Sequence, residues 1–452
     1  PDEIRALDAH CRLHGIELVP NQQSFGHLHH WLKHPEYRHL AEVPEGILHP
    51  FLGAGQTTPE PFSLCPTDPR SLAFLGGLYD ELLPCFTSGE LNVGLDETID
   101  LGPGRSAAAI REKGVGRVYL EFLRSVHGLV SARGKRMQFW ADILLHHAEL
   151  VPEVPKDAVA MLWGYEADHP FERETATLAE AGLPFYVCPG TSSWQSIGGR
   201  LDNMLANVHS AATWGAERGA RGLLVTDWGD RGHLQPPCTA WSGFAVAASL
   251  AWNPEARVPA EGDRLENLLS RHLAALSPFH FAHHGKLIAL ARVGVLRGLP
   301  VRNASPLSLL LTKFDAPFPS PELTSLHPHT LNQLDEHLQS VLQRGPSAAR
   351  FLPEFGAERS AEIESALLLE REINWAGELL RFACNLGFER LRAGDGRPLG
   401  QLPEQARHGL AERLEPLISE HRALWSTRSR HGGLDRSARW LERILAALRA
   451  PR

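Results

Sequence analysis

Leu91-Asn92-Val93-Gly94-Leu95-Asp96-Glu97 is an apolar run that ends in two adjacent carboxylates, and the stretch that follows, Thr98 to Ser106, is rich in turn residues. A short apolar run bounded by turn signals is the pattern of a strand buried on both faces, as in a parallel sheet. A strand that delivers two carboxylates into a Gly- and Pro-containing loop has the layout of a barrel active site, where the chemistry sits at the carboxyl ends of the strands. Taken alone, an Asp-Glu pair is more often a solvated acidic turn, so the neighbouring segments decide between the two readings.

Those segments are further strand-like runs that end in Trp, Tyr or Asp. Ile16–Pro20 leads into Asn21-Gln22-Gln23-Ser24-Phe25-Gly26-His27, and Met137–Asp142, Val159–Tyr165, Pro184–Cys188 and Leu223–Asp230 follow the carboxylate pair. Most are separated by helical periodicity, clearest over 69–84, 106–132 and 201–218, while 143–157 is too proline-rich for a long helix. The alternation predicts parallel β/α units. Six can be counted before about residue 255, where a complete (β/α)8 barrel has eight. The chain opens at Pro1 inside a helix-like stretch. The expectation is therefore a (β/α)8 TIM barrel lacking its first two units here, with residues 1–255 forming the third to eighth. A six-unit open sheet would leave two parallel edges unpaired.

Beyond about 255 the pattern becomes helical, with Pro/Ser-rich segments near 299–307 and 314–328, a long helix over 357–392, and Leu-striped, Arg/Glu-rich helices over 402–450. Residues 256–452 are expected to be an all-α C-terminal domain that braces the barrel or forms a homodimer contact, a wall at the active-site mouth being the lesser expectation. Asn303-Ala304-Ser305 matches a glycosylation sequon and is read as a loop.

Hydrophobic and charged fractions of 43% and 22% are ordinary for a globular enzyme. A net charge of −8 without a basic tract gives no reason to expect nucleic acid, and no apolar span long enough for a membrane occurs. Six scattered cysteines without CxxC spacing read as free thiols, which predicts a cytoplasmic location. The 24 histidines include His27-Leu28-His29-His30, His146-His147 and His283-His284, but no HExxH spacing, so no metal or cofactor is expected.

In these motifs the chain resembles glycoside hydrolase family 20, the β-N-acetylhexosaminidases, in a bacterial form with a C-terminal α-helical domain. Val93-Gly94-Leu95-Asp96-Glu97 matches the end of that family's fourth strand, and Val19-Pro20 with Gly26-His27 matches its third. Trp140-Ala141-Asp142 matches its fifth, and Trp228-Gly229-Asp230 its last. The resemblance covers about residues 1–255. It implies that Glu97 is general acid and then general base, that Asp96 orients the substrate's 2-acetamido group, which attacks to give an oxazolinium intermediate, and that His27 supports the catalytic loop. Asn92 and Gln23 stand where many members have His and Asp in a relay that supports the acid. The paired amides read as a coordinated alternative. No Tyr follows the seventh strand, where this chain has Thr191-Ser192-Ser193-Trp194, so Tyr165 or Tyr186 is expected to hold the acetamide. No carboxylate occurs between Cys188 and Asp202, which disfavours a protein nucleophile on the seventh strand.

Among eleven tryptophans, Trp140, Trp163, Trp194 and Trp228 lie at or just beyond strand ends and are expected to line the sugar pocket, the other seven being packing residues. Asp142, Asp227 and Asp230 complete the expected substrate contacts. The implied activity is exo-acting release of terminal β-linked GlcNAc or GalNAc from a glycan or glycoconjugate. The alternative is a non-catalytic or degenerate carbohydrate-binding protein with the same pocket.

Overall fold

The computed structural model describes residues 1–450 except 53, 256–270, 272–282, 295–298, 300, 317, 320–322, 325, 344–359 and 395–398. The start of the expected helix over 357–392, and most of the expected boundary region after 255, therefore lie outside the described residues.

Five parallel strands form one sheet in chain order: β1 Glu90–Asn92, β2 Arg136–Trp140, β3 Val159–Trp163, β4 Phe185–Cys188 and β5 Gly222–Leu223. Helices Val115–Ser131, Phe171–Glu180 and Leu201–Glu217 lie between successive strands. This is the β/α order of a barrel-type α/β fold. The run Ile16–Pro20 differs from expectation. It forms no strand, and joins the sheet only where Asn21 bridges Asn92, with the Gln22 and Asn92 amides donating to the Asn92 and Pro20 carbonyls at 2.9 Å. The strand expected over Leu223–Asp230 is likewise short, resuming only as a bridge between Thr226 and Gly190.

Alternation along each strand explains why the runs are apolar throughout. Met137 and Phe139 of β2, Ala160 and Leu162 of β3, and Phe185 and Val187 of β4 point to the helices, where they share a core with Phe122, Leu123 and Leu178. Trp140, Val159, Met161 and Cys188 point the other way and pack with Trp163, Tyr186 and Trp228. Both faces are buried, as a parallel sheet requires. Register fixes the inner layer, since Trp140 stands opposite Met161, Met161 opposite Tyr186, and Trp163 opposite Cys188.

After Trp252 every described regular element is helical, including Pro328–Gln343, Ser360–Ala393, Glu404–Arg428 and Leu434–Arg449. Their core, built on residues such as Leu331, Ile373, Leu380 and Leu441, also takes in Ile197, Leu234 and Cys238 from the loops after β4 and β5. The helices thus rest on the end of the sheet where the strands deliver their loops. No described helix is long and apolar enough to cross a membrane.

Candidate active site

The carboxylate pair leaves the strand through a sharply turned backbone. Gly94 and Leu95 adopt φ of 70° and 75°, and Glu97 adopts 46°. Such angles are uncommon for side chains other than Gly, and they persist where surrounding contacts over-determine them. Those contacts are visible here. Asn92 Oδ1 accepts from the Asn21 side chain and from the Gly94 amide, both at 2.9 Å. The Glu97 amide donates to Asp142 Oδ2 at 3.1 Å, and the Leu95 carbonyl accepts from the Tyr119 hydroxyl at 3.0 Å. A Cβ on Gly94 would fall 1.6 Å from Gln23 Oε1, and one on Gly26 would fall 2.5 Å from the Asp96 carbonyl. Both positions therefore require glycine.

His27 stands against both acids, its Nε2 3.2 Å from Asp96 Oδ2 and 3.1 Å from Glu97 Oε2. Burial opposes a charge on this ring, but hydrogen-bond-range contacts with Asp96 and then Glu97 outweigh it and raise the pKa to about 9. His27 is accordingly an imidazolium at neutral pH. Asp96 also accepts from Gln23 Nε2 at 3.1 Å, so both its oxygens are held. The two amides read as one relay thus act separately. Gln23 fixes Asp96, and Asn92 fixes the turn at Gly94.

Asp142, expected to touch substrate, lies behind the pair. Its oxygens accept from the Glu97 amide and from Trp163 Nε1, the latter at 3.2 Å. Burial and then the Asp96 charge push its pKa up to about 7. It is a positioning residue in this arrangement.

A cavity of about 540 Å³ opens over Asp96 and Glu97 and is lined by Trp140, Trp163, Tyr165, Trp228 and Asp230. Trp163 stacks on Tyr165 with ring centres 5.0 Å apart, and Trp140 meets Trp228 edge to face at 6.0 Å. Trp228 Nε1 donates to the Tyr165 hydroxyl at 2.8 Å. Tyr165 faces this cavity, whereas Tyr186 packs in the inner layer of the sheet. Burial, followed by the Glu97 charge, raises the pKa of Asp230.

Two expected substrate contacts are corrected. Trp194 is only 1% exposed and backs Tyr165 edge to face, with its Nε1 donating to Asn303 Oδ1 at 2.8 Å. The loop after β4 turns inward, so the indole supports the pocket wall instead of forming its surface. Asp227 is drawn to the same loop, accepting from the Thr191 hydroxyl at 2.5 Å and from the Ser193 hydroxyl.

Other lining residues carry no local signal in the sequence. Phe51, His29 and His30 reach the cavity from the loop region after Gly26, and Arg302 and Asn303 from beyond the barrel segment. Asn303 has φ of 51°, and its amide donates to Glu166 at 2.7 Å, a carboxylate itself clamped by two bonds from buried Arg200. A second cavity of about 490 Å³ shares Glu97 and Asp230 with the first and is walled by Trp425, Gly433 and Arg436. The helical part therefore does supply a wall at the mouth, the role expected to be the lesser one.

His27, Asp96 and Glu97 are also the described group whose donor atoms lie within 4.8 Å of one another, near enough to share a metal ion.

The His27 geometry has a consequence for stability. Its folded pKa near 9 exceeds the ordinary 6.5, so its contribution is complete below pH 6.5 and is lost as pH rises to 9, on the order of 3 kcal/mol at most. Asp142, also raised, contributes stability that is lost lower, as pH climbs from about 4 to 7. His27→Asn suits the left-handed backbone at φ 59°. Denaturant unfolding should show the decline between pH 6.5 and 9 in the native protein and a flattened one in the variant. An unchanged decline would assign it to other groups.

Residues 1–210 match the family described as "Glycosyl hydrolase family 20, catalytic domain". Human hexosaminidase D is 29% identical over 177 residues, covering 37% of this chain and 34% of that protein. Lacto-N-biosidase of Bifidobacterium bifidum is 24% identical over 219 residues, covering 46% and 18%. The chain thus spans about a third or less of the length of these two relatives. Among solved structures it is similar to the Flavobacterium johnsoniae chitobiase, with a TM-score of 0.48 at 17% identity over 98% of this chain and 68% of that one. A Vibrio harveyi exo-β-N-acetylglucosaminidase in complex with N-acetylglucosamine aligns with a TM-score of 0.44 at 19% identity, over 64% and 45%. Through residues 1–210, a little under half its length, the chain is similar to the catalytic domain of glycoside hydrolase family 20.

Proposed function

We propose that the protein is an exo-acting β-N-acetylhexosaminidase that releases terminal β-linked GlcNAc, with GalNAc as a second substrate, by retaining, substrate-assisted catalysis. The observation that carries this reading is the immobilised Asp96–Glu97 pair facing the cup of Trp140, Trp163, Tyr165 and Trp228. Departure of a sugar through an oxocarbenium-like transition state needs an acid at the leaving oxygen and a group that stabilises the anomeric carbon from the opposite face. Glu97 is the acid, and the substrate's acetamide oxygen is the second group. Asp96, held by Gln23 and His27, orients the acetamide N–H, and Tyr165 donates to the acetamide oxygen. The indole faces cover the sugar's C–H groups and the acetamide methyl, and Asp230 accepts from sugar hydroxyls. The name of hexosaminidase D agrees with this reading.

We divide the chain at about residue 255 into the catalytic barrel and a helical domain that closes the mouth. The free cysteines, five of them buried, support a cytoplasmic location.

The test is hydrolysis of aryl β-GlcNAc and aryl β-GalNAc by the purified protein, followed by the absorbance of the released phenol. Turnover of the first is expected. A folded protein that binds GlcNAc by calorimetry yet turns over neither glycoside would make it a carbohydrate-binding protein instead.

A further inference from the structure

Beyond Glu97 and Asp230 the second cavity holds two arginines, Arg231 and Arg436, that form no ion pair among the described residues. Arg231 follows Asp230 at φ 53°, is partly buried, and makes no hydrogen bond or ion pair among the described residues. Burial lowers its pKa, with only the Asp230 charge working against that. Arg436 donates to the Phe51 carbonyl at 2.9 Å and lies 3.5 Å from His30 Nε2, neither of which is a counter-charge. Arg302 at the neighbouring mouth is different, being matched by Asp168 through two bonds of 2.9 and 2.7 Å. The backbones beside the two arginines run close, since a Cβ on Gly232 would lie 3.1 Å from the Arg436 carbonyl, and both side chains line this cavity. Burial lowers the pKa of both His30 and His233, so these wall residues add donors and no charge at neutral pH. Trp425 adds a flat apolar face.

A partly desolvated guanidinium without a partner is costly, and a planar carboxylate or a sulfate matches its fork of donors. Position then says which part of a ligand brings that anion. With the terminal sugar in the aromatic cup, the leaving oxygen lies at Glu97, and the next residue of the glycan enters the second cavity. We propose that this cavity is a leaving-group subsite for a sugar bearing an oxyanion, a uronate carboxylate or a sulfate ester, so that the substrates are acidic glycans ending in N-acetylhexosamine. This rests on the hydrolase reading above.

The experiment compares kcat/KM for three disaccharides: β-GlcNAc-(1→4)-glucuronate, β-GlcNAc-(1→4)-GlcNAc, and the latter with a 6-sulfate on its reducing sugar. At least one charged substrate should exceed the neutral one by roughly ten-fold, with the advantage shrinking as salt is raised. Which of the two gains identifies the anion's source. Arg436→Met and Arg231→Met should each bring the ratio towards one, while the comparison in the native protein needs no variant to fold. Equal kcat/KM for all three, with aryl β-GlcNAc still hydrolysed, would overturn the subsite and leave the hydrolase standing. If no glycoside is hydrolysed, the hydrolase reading is what fails. Calorimetry on the same disaccharides then decides the subsite, since equal affinities overturn it and tighter binding of a charged one retains it.

Discussion

Glu97→Gln should lower kcat on a disaccharide roughly 10²- to 10⁴-fold, the usual worth of a positioned general acid, and should cost an activated aryl glycoside far less. The amide keeps the size and hydrogen-bonding shape of the acid but has no proton to give. A sugar leaving group is strongly basic and needs that proton as the glycosidic bond breaks, whereas a nitrophenolate departs without help. The backbone around Glu97 makes the comparison clean. Its amide is tied to Asp142, and the preceding turn is tied through Asn92 and Tyr119, so the substitution should leave the carboxylate pair's frame in place. Circular dichroism would check the fold, and the ratio of losses on the two substrates is the decisive quantity. Equal losses would mean that Glu97 acts in binding or positioning, and the acid would have to be sought elsewhere in the cavity.

How much of this was legible in the sequence depends on how local each cause is. The strands and the carboxylate pair were, because two-sided burial writes itself as an uninterrupted apolar run and Gly94 marks where the chain must leave the sheet. The structure brings together Gln23, His27, Asp96, Glu97, Trp140, Trp163, Tyr165, Trp228 and Asp230, all of which lie at or just beyond the carboxyl end of a strand-like run. Position relative to a strand end is a local property, and a sequence shows it. Direction is not. Trp194 and Asp227 satisfy the same positional rule, but a loop rich in hydroxyls, Thr191 to Ser193, folds inward and takes the Asp227 carboxylate, while Trp194 finds its partner in Asn303 more than a hundred residues away.

The contribution of the helical part was illegible for the same reason. Asn303 sat in a sequon-like triplet, Arg436 in the first turn of a helix preceded by Gly432-Gly433, and neither position has a pattern that says cavity. What puts them there is the shared core of the helices with Ile197, Leu234 and Cys238, a packing arrangement between segments far apart in the chain. The short pairing of Ile16–Pro20 has another cause. Ile16 is 56% exposed, so the apolar run that reads as a strand has no second layer over its first residue to hold it flat.

The other large effect concerns the substrate. Removing the acetamide, by offering an aryl β-glucoside in place of the aryl β-GlcNAc, should reduce kcat/KM by at least about four orders of magnitude, because an attacking group held within the substrate has an effective concentration no external water reaches. The side chains near the anomeric position give the reason to expect no substitute from the protein. Asp142 has both oxygens occupied by the Glu97 amide and the Trp163 indole, and Asp227 is held by Thr191 and Ser193. Asp96 is fixed by Gln23 and His27 on the side of Glu97, next to it in the chain, where it can orient an amide N–H but is poorly placed for the face opposite the acid. Apart from the acid Glu97, Asp230 is the lightly held carboxylate among the described residues of the cavity, its one bond being the 3.3 Å contact from Gln195. A thiazoline mimic of the oxazoline should therefore inhibit strongly, and Asp96→Asn should weaken that inhibition along with turnover. A fluorinated glucoside that labels the protein would reverse the argument, and mass spectrometry locating the sugar ester on Asp230 would make that residue the nucleophile and the acetamide a mere binding group.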